Sequence, residues 1–417
     1  MSAQEKVSRI DEWLLRKIYE SVGQPPIRLA LGNGAAVSPA DDTPIANLVI
    51  EDRKTLLHLM LEPEIGFGDA YSEGRIRVEG DLIATLEAVY RSISKMGQQS
   101  WYAKFVSRLV EYVQRNSLRG SRENIHRHYD LSSDFYRLWL DSQLVYTCAY
   151  FQSPSATLEE AQVAKMDYVC RKLRLHPGER VVDAGCGWGA LALHMAKNYG
   201  VNVRAFNVSH EQVQWARQRA KDLGLNPWVE FIEDDYRNIS GECDAFVSVG
   251  MVEHVGLEHY GELGRVIHRS LGKTGRGLLH FIGRNQPTPF STWTRKRIFP
   301  GAYAPTLGQV SHIFEPWDFS VLDVENLRPH YQRTLEAWLE RFELSSEQVS
   351  NMFGPEFVRM WRLYLAGAVA AFRAGTLQLF QVVFARTACQ RIPWTRAHLY
   401  QGEQHEVQEK RWTHTMS

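Results

Sequence analysis

Hydrophobic and polar residues follow two different periods along this chain. In residues 1–92, Ile10, Trp13, Leu14 and Ile18 recur at helical spacing, and the short strand-like segments IANLVIED and GRIRVEGDL follow them. A helical stripe combined with brief strand-like segments predicts a small α+β domain at the N-terminus.

The region 123–390 alternates strand-like and helix-like segments. Apolar runs typical of buried strands occur at RVVDAG, NVRAFNV, WVEFIEDD, CDAFVSVG, GLLHFIG and LQLFQVVFAR. The helical segments GALALHMAKNYG and SHEQVQWARQRAKDLGL separate the first three of these runs. This alternation predicts an α/β domain in which helices cover both faces of a parallel sheet. We expect the last residues, 391–417, to form a polar surface tail.

A basic segment, 93–122, joins the two regions. Its net charge is +5 between Lys95 and Arg122, because six basic residues face one acid, Glu111. An apolar stripe runs beside the basic one at helical spacing. Two interpretations stay open: a linker helix docked on a domain, and a surface that contacts anionic lipid headgroups.

Composition narrows the possible functions. Lys+Arg and Asp+Glu are balanced at 48 each, so no net field attracts nucleic acid and we expect no such partner. The five cysteines show neither CxxC pairs nor metal-ligand spacing, which is typical of reduced thiols in the cytoplasm. No apolar run approaches the ~20 residues of a membrane-spanning helix, so we expect any membrane contact to be peripheral.

The segment VVDAGCGWG places Gly185, Gly187 and Gly189 between a hydrophobic strand and a helix. Glycines at such a turn let a ligand approach the backbone closely. The GxGxG spacing alone fits NAD, FAD and S-adenosylmethionine (SAM). The second strand, however, ends without the acid that would hold an NAD ribose, which disfavours a dehydrogenase. Together with Asp183, the loop resembles the first motif of class I SAM-dependent methyltransferases.

Positions after the next two strands are candidates for the nucleoside. Gln212 opens the helix that follows the second strand, where a side-chain amide can bind ribose hydroxyls. Asp235 and Tyr236 follow the third strand, where an acid and a ring can hold adenine.

Many separate motifs resemble one family, the cyclopropane-fatty-acid synthases, and occur in its order. They are HRHYDLSSDFYRLWLD, YTCAYFQS, TLEEAQVAKMD, VVDAGCGWGALALHMA, SVGMVEHVGLEHY, LLHFIG, FPGAY, HYQRTLEAW and LQLFQVVFAR. The resemblance spans residues 120–386, and GFGDAYSEGRIRVEGDL resembles the N-terminal domain of the long bacterial synthases. It implies a class I SAM-methyltransferase fold, a Rossmann-like seven-stranded α/β sheet, with a smaller N-terminal α+β domain.

The resemblance also implies a reaction. SAM gives a methylene unit to the cis double bond of an unsaturated acyl chain in a membrane phospholipid, and a bound bicarbonate ion deprotonates the carbocation. Cys148, Glu253, His280 and Tyr331 match the family's bicarbonate ligands, and Ile282 matches a position that contributes its backbone. Such a cradle makes sense, because an unpaired buried charge is costly. Cys148 is then a polar wall, since no nearby base would activate it as a nucleophile.

The family pattern also implies the SAM contacts. They come from Tyr146, Thr147, Gly185, Gly187, Asn207, Val208 and Gln212, with Asp235 and Tyr236 as further positions. Thr147 replaces the usual serine and Asn207 the usual threonine, and both keep a group able to hydrogen-bond the cofactor.

The loop RNQPTPFSTWTRKRIFPGAY argues for membrane access. It combines the bases Arg284, Arg295, Lys296 and Arg297 with the apolar residues Phe290, Trp293, Ile298 and Phe299. Such a loop suits lipid headgroups, although a lid packed on its own protein has the same composition. The resemblance further suggests a homodimer that is cytoplasmic, is peripherally associated with the inner membrane, and engages membrane phospholipids partly through its N-terminal domain.

Three other functions stay open. A C-methyltransferase of the same family would quench the carbocation differently and make methyl-branched or methylene fatty acids. A small-molecule N-methyltransferase shares the catalytic domain, and a catalytically idle lipid-binding protein would keep only the fold. The full set of bicarbonate ligands favours ring closure, whereas the N-terminal domain and the intact glycine loop disfavour the other two. Taken singly, His280 could be an ordinary core histidine and Glu253 a helix cap.

Overall fold

A computed structural model describes residues 8–40, 43–97 and 131–400. Its strands are β1 (Arg28–Leu31), β2 (Ala36–Val37), β3 (Ala46–Ile50), β4 (Ile76–Gly80), β5 (Arg180–Ala184), β6 (Asn202–Asn207), β7 (Val229–Glu233), β8 (Cys243–Val249), β9 (Leu271–Gly283), β10 (Phe319–Asn326) and β11 (Gln378–Arg386). Its α-helices are α1 (Arg9–Ser21), α2 (Arg53–Leu61), α3 (Pro63–Ser72), α4 (Leu82–Gly97), α5 (Ser133–Arg137), α6 (Leu158–Leu173), α7 (Ala190–Tyr199), α8 (His210–Asp222), α9 (Val252–Val255), α10 (Tyr260–Ser270), α11 (Leu307–Phe314), α12 (Arg328–Leu344), α13 (Ser346–Phe353) and α14 (Pro355–Ala374).

The N-terminal elements form a four-stranded sheet in the order β2-β1-β3-β4, with α1–α4 around it. The expected apolar stripe of the first helix needs a correction. Ile10 and Trp13 are 62% and 55% exposed, whereas Leu15 and Tyr19 are buried. Leu14 is also buried, so the core-facing stripe lies slightly further along the helix than the sequence pattern indicated.

The second sheet has seven strands in the order β10-β11-β9-β8-β5-β6-β7, which confirms the predicted fold class. It is not wholly parallel, because β11 runs antiparallel to both β9 and β10. The sequence pattern also missed β10. Its side chains are exposed or half-buried, and so the strand lacks the continuous apolar run of a central parallel strand.

Successive residues of the central strands supply two separate cores. Val181 and Ala245 pack on one face with helices α6, α7 and α8, and Val182 and Phe246 pack on the other with α10 and α11. This follows from the two-residue repeat of a strand, which sends neighbouring side chains to opposite faces. Capping fixes where the helices begin: Thr157 and Glu160 form a capping box at α6, and Ser209 caps α8.

The N-terminal core extends into the rest of the chain. Trp293 and Ile298 of the loop after β9, together with Leu363 and Ala366 of α14, belong to the same hydrophobic cluster as the four-stranded sheet. The two regions are therefore joined by shared burial as well as by the chain between them.

The predicted domain boundaries stay predictions. Helix α4 runs through residue 92, the proposed end of the N-terminal domain. Most of the basic segment, together with residues 123–130 and 401–417, lies outside the described residues. Among the described residues, no helix combines the length and the apolar character required to span a bilayer.

Trp338 of α12 offers a test of this packing. It is fully buried, and its ring lies 5.7 Å from Trp139 and 5.3 Å from Tyr146 between ring centroids. Trp338→Ala should lower the free energy of unfolding by about 3–5 kcal/mol, because it leaves a cavity among aromatic rings. Urea denaturation measures the change. Trp394→Ala is the control, because Trp394 is fully exposed, and an equal loss there would contradict the packing.

Candidate active site

A cavity of about 970 Å³ joins the carboxyl ends of the central strands to the N-terminal core. Its wall includes the predicted site residues Tyr146, Thr147, Asp183, Gly185, Gly187, Asn207, Gln212, Glu253, Ile282 and Tyr331. The carboxyl ends of parallel strands are the usual ligand-binding edge of an open α/β sheet. The structure thus brings two-thirds of the predicted residues to one cavity.

The glycine loop is held open toward this cavity. The N–H groups of Gly185 and Cys186 both donate to the carbonyl of Phe206, at 2.9 and 3.0 Å, which ties the loop to β6. Gly187 has a φ of +55° and open space where a Cβ would stand. Gly189 has a φ of +81°, but its Cβ would lie 2.5 Å from the ring of Phe231. Gly187 therefore lets a ligand approach, whereas Gly189 allows close packing within the fold.

Asn207 and Gln212 form one hydrogen-bonded unit beside the loop. Asn207 Nδ2 donates to Gln212 Oε1 at 2.8 Å, and Asn207 Oδ1 accepts from the N–H of Val208 at 2.8 Å. Gln212 Nε2 is buried, and none of the described residues pairs with it. A buried amide donor without a partner is unfavourable unless a ligand satisfies it. This fits the predicted contact with ribose hydroxyls.

Opposite charges line another part of the wall. Burial raises the pKa of Asp183 to about 7, although Lys165 partly opposes the shift, and Asp183 Oδ2 has no partner in the described part of the chain. Lys165 Nζ donates to Thr147 Oγ1 at 2.9 Å, and burial lowers the pKa of Lys165 to about 8. An acid and an amine at one wall match the ammonium and carboxylate of an amino acid, which SAM carries. The orphaned donor, the open glycine and this charge pair fit SAM.

Sequence reasoning missed Lys165. The signal was present, because Lys165 falls on the helical stripe that α6 buries, in step with Leu158, Ala161 and Val169. A lysine on a buried stripe is rarely placed there without a partner.

Glu253 occupies the short helix α9, directly after β8. Its Oε1 accepts a hydrogen bond from the backbone N–H of Ile282 at 2.6 Å. Its Oε2 is buried and without a partner among the described residues. Burial raises the pKa of this carboxyl to about 7, and the Ile282 bond lowers it only in part. The Ile282 N–H that the prediction offered to an anion is therefore already used by Glu253.

Cys148 and His280 are buried and do not form part of the cavity wall. Cys148 Sγ donates to the carbonyl of Ala149 at 3.1 Å, and burial raises the pKa of the thiol, which keeps it protonated. His280 Nδ1 lies 3.0 Å from Gln381 Nε2, and burial holds the pKa of His280 well below its usual range. The imidazole is thus neutral, and Nε2 carries its proton if Gln381 donates to Nδ1.

Val208, Asp235 and Tyr236 also lie away from the cavity wall. Asp235 accepts from the N–H of Arg237 at 2.9 Å and pairs with its guanidinium at 3.2 Å. The carboxylate therefore caps the turn Tyr236–Asn238 and is already neutralised. Its predicted role at adenine, and that of Tyr236, stays a prediction.

The loop 284–299 is a lid packed on its own protein. Trp293 and Ile298 are buried in the N-terminal core, Arg297 forms a paired contact with Asp69 at 2.7 and 3.0 Å, and the N–H of Thr292 donates to Glu64 at 2.6 Å. Of the two interpretations that the sequence left open, the structure favours the lid, because the side chains of Trp293 and Ile298 are buried in the N-terminal core.

Substitutions at two glycines of the loop should distinguish an effect on SAM binding from an effect on the stability of the fold. Gly187→Ala should lower the melting temperature by only a few degrees, because its backbone is left-handed but its Cβ enters open space. It should lose SAM affinity at least tenfold, because the methyl group would occupy the cofactor wall. Gly189→Ala should unfold at a clearly lower temperature, because its Cβ meets Phe231. Thermal unfolding and calorimetry with SAM measure both effects. Equal behaviour of the two variants would contradict the geometry.

Comparison with known proteins places the chain in a family. The family model described as "Mycolic acid cyclopropane synthetase" matches residues 116–382. A "Probable fatty acid methyltransferase" of Pseudomonas putida is 34% identical over 90% of this chain and 96% of its own length. The cyclopropane-fatty-acyl-phospholipid synthase of Escherichia coli K12 is 40% identical over 62% of this chain and 66% of its own length.

A solved structure agrees with these relatives. The mycolic acid cyclopropane synthase CmaA1, crystallised with SAH and CTAB, is 32% identical, has a TM-score of 0.61, and covers 64% of this chain and 98% of its own. Sequence, fold and a cavity whose residues suit SAM lead to one conclusion. The chain belongs to the mycolic acid cyclopropane synthetase family of SAM-dependent methyltransferases.

Proposed function

We propose that this protein adds a methylene unit from SAM to the cis double bond of an unsaturated acyl chain in a membrane phospholipid, forming a cyclopropane ring. The proposal is carried by Glu253, whose Oε2 has no partner among the described residues and which lines a largely apolar cavity together with the proposed SAM contacts. A carboxyl group placed there suits the orientation of a bound base that removes a proton from a water-shielded hydrocarbon cation.

SAM, when bound, supplies a methyl group activated by its sulfonium charge. Asp183 and Lys165 would hold the amino-acid end, with Thr147 oriented by its bond from Lys165. Gln212 Nε2 would donate to the ribose, and Gly187 would let the cofactor lie against the backbone. In this arrangement the residues position one reactive group and keep water from it.

The acyl chain has room and suitable surroundings. Leu29, Leu48, Ile50, Leu59 and Leu86 of the N-terminal core all line the cavity. Its volume is at the upper end of the range of small-molecule sites, roughly 300–1,000 Å³. Aliphatic walls of this kind stabilise a buried hydrocarbon chain by about 25 cal/mol per Å² removed from water. The proposal therefore gives the N-terminal domain a lipid-engaging role.

A carbocation in this cavity would lie near aromatic faces. Tyr331 lies at the wall with its ring centroid 4.8 Å from that of Phe372, which lines the cavity too. Aromatic faces attract positive charge without acting as nucleophiles. The cation would survive until a proton leaves the new methyl group and the ring closes.

Bicarbonate, when bound, would supply the base for that proton. Glu253 Oε2 would accept the hydrogen bond of HCO₃⁻, and the phenol of Tyr331, which lines the same cavity, would donate to the ion. His280 and Cys148 lie behind the wall, so their part in the cradle requires a small side-chain movement. The neutral imidazole is still suited to it, because a neutral donor adds no positive charge that would oppose the cation.

A second product follows from one comparison. The Pseudomonas relative named a fatty acid methyltransferase matches nearly the whole of this chain, whereas the E. coli synthase matches the larger part of it. Loss of a proton from another carbon of the same cation would give a methyl-branched alkene. The same cavity would serve either outcome.

The remaining assignments complete the proposal. The protein would act in the cytoplasm as a homodimer that contacts the inner membrane peripherally. What supports this is the lipid substrate itself, because a phospholipid must be reached from the bilayer surface.

Product analysis tests the proposed reaction. Incubation with SAM and vesicles of a monounsaturated phospholipid should give fatty acids heavier by one CH₂, and the added carbon should resist mild hydrogenation as a cyclopropane does. Mass spectrometry measures both properties. A product of the same mass that takes up hydrogen indicates the methyl-branched alkene. No SAM-dependent change in any unsaturated lipid would exclude the proposal.

Glu253→Gln tests the carboxyl group through pH. Because the folded-state pKa is raised to about 7, the wild type should gain activity as pH rises through 7, and the variant should lose nearly all activity at every pH. A carboxyl whose pKa is higher in the folded than in the unfolded state contributes its full stability at pH values below the unfolded-state pKa. That contribution is lost as pH rises through the folded-state pKa of about 7. The variant should therefore be more stable than wild type at pH 8, and the difference should shrink toward pH 5.

The exposed residue Glu356 provides the matched control. Glu356→Gln should leave both the pH–rate profile and the stability unchanged, because that side chain lies on the surface at the start of α14. SAM affinity should be unaltered in Glu253→Gln. A variant that keeps wild-type turnover would show that Glu253 is only a helix cap.

A further inference from the structure

The four basic residues of the loop 284–299 differ in what their side chains contact. Arg297 is paired with Asp69, and Arg295 Nε donates to the carbonyl of Phe290 at 3.1 Å. Lys296 is exposed and does not contribute to the cavity wall. Only Arg284 lines the cavity.

Arg284 has no counter-charge of its own. Within residues 8–40, 43–97 and 131–400, no hydrogen bond or ion pair reaches its side chain, and its buried Nε lacks a partner. The guanidinium lies over the ring of Phe290, 5.3 Å from the ring centroid. Glu64 is close enough to influence it, but Glu64 Oε2 accepts the N–H of Thr292. A guanidinium with a buried Nε that no described residue pairs is unfavourable until an anion reaches it.

Arg284 lies between the inner cavity and its mouth, so an anion bound there would belong to the outer end of a ligand. It directly follows the last residue of β9, two positions after Ile282, and both residues line the cavity. The next residues, Asn285, Gln286 and Thr288, are exposed and also line the cavity, which marks the mouth. Glu253 and the reacting centre therefore lie on the inner side of Arg284, and solvent lies on its outer side.

A second donor lines the same cavity. Tyr90 of α4 lines the cavity, and Arg284 is near enough that its charge acts on the phenol. A guanidinium and a phenol together suit a phosphodiester, which offers several acceptor oxygens in a fork-like arrangement.

We infer that Arg284, with Tyr90, binds the phosphodiester of the lipid at the cavity mouth and thereby sets how far the acyl chain reaches toward Glu253. This inference rests on the proposed function for the identity of the chain. It makes Arg284 a specificity-determining residue: the protein takes an ester-linked, phosphate-bearing lipid in preference to a neutral one. It also selects double bonds at a fixed distance from the headgroup.

Ligand binding tests the inference without turnover. The full-length protein is titrated by calorimetry, below the critical micelle concentration, with oleoyl lysophosphatidylglycerol and with monooleoylglycerol, which share one acyl chain. Wild type should bind the phosphate-bearing lipid at least tenfold more tightly, as expected for a charged hydrogen bond. Arg284→Met should bind both lipids equally, and Arg284→Lys should recover part of the preference.

Three controls separate this role from a structural one. Arg265→Met removes an exposed arginine of α10 and should leave the preference intact. Arg284→Met should keep its SAM affinity and its melting temperature, because it removes an unpaired buried charge. Inorganic phosphate should compete only weakly, since the acyl chain supplies most of the binding.

Each outcome is decisive for the inference. A wild type without the preference, or an Arg284→Met variant that keeps it, would overturn it. Inorganic phosphate that displaces the lysolipid at comparable concentration would show a site for free phosphate instead. If the lysolipid preference depends on Arg284 but product analysis finds no modified lipid, the binding inference stands and the proposed reaction fails.

Discussion

The rest of the site depends on one hydrogen bond, from the backbone of Ile282 to the carboxyl of Glu253. Glu253 lies just after β8, and Ile282 lies near the end of β9. These two strands are parallel neighbours, and their register pairs Val249 with His280. The N–H of Gly250 donates to the carbonyl of His280 at 2.8 Å and fixes the same junction. An acidic side chain stays in an apolar cavity only when the surrounding sheet is rigid. In a mobile sheet, the side chain would turn its carboxyl group toward water.

This constraint explains why the catalytic sheet is so thoroughly enclosed. Both faces of its central strands are covered, and β11 is inserted antiparallel beside β9, which shields the strand that carries His280 and Ile282. Asp183, Gln212 and Glu253 each have a buried polar atom that no residue of the described ranges pairs, and each such atom weakens the folded state. The large cores around them offset that cost, as is usual where a site is preorganised for a ligand.

Most of the fold could be predicted from the sequence, and the site only in part. The central strands are continuous apolar runs, so their positions could be predicted. The sequence of the half-exposed β10 is mixed in polarity and resembles that of a loop. The glycine loop and Gln212 were found because their chemistry depends on local sequence order. Lys165 was missed because its role depends on its burial. The sequence indicates that burial only weakly, through the helical spacing of apolar residues in α6. The seating of Trp293 could not be predicted, since its partners lie more than two hundred residues away in the chain.

The contact between Trp293 and Gly68 has a consequence for any shortened form of the chain. A Cβ at Gly68 would lie 2.3 Å from the indole ring, so the helix α3 and the loop fit each other without room for a side chain. A chain of the present kind cut down to its catalytic half would expose Trp293 and Ile298 and become prone to self-association. The loop after β9 therefore depends on the four-stranded sheet for its burial, and truncation between the two would uncover apolar surface instead of releasing an independent domain.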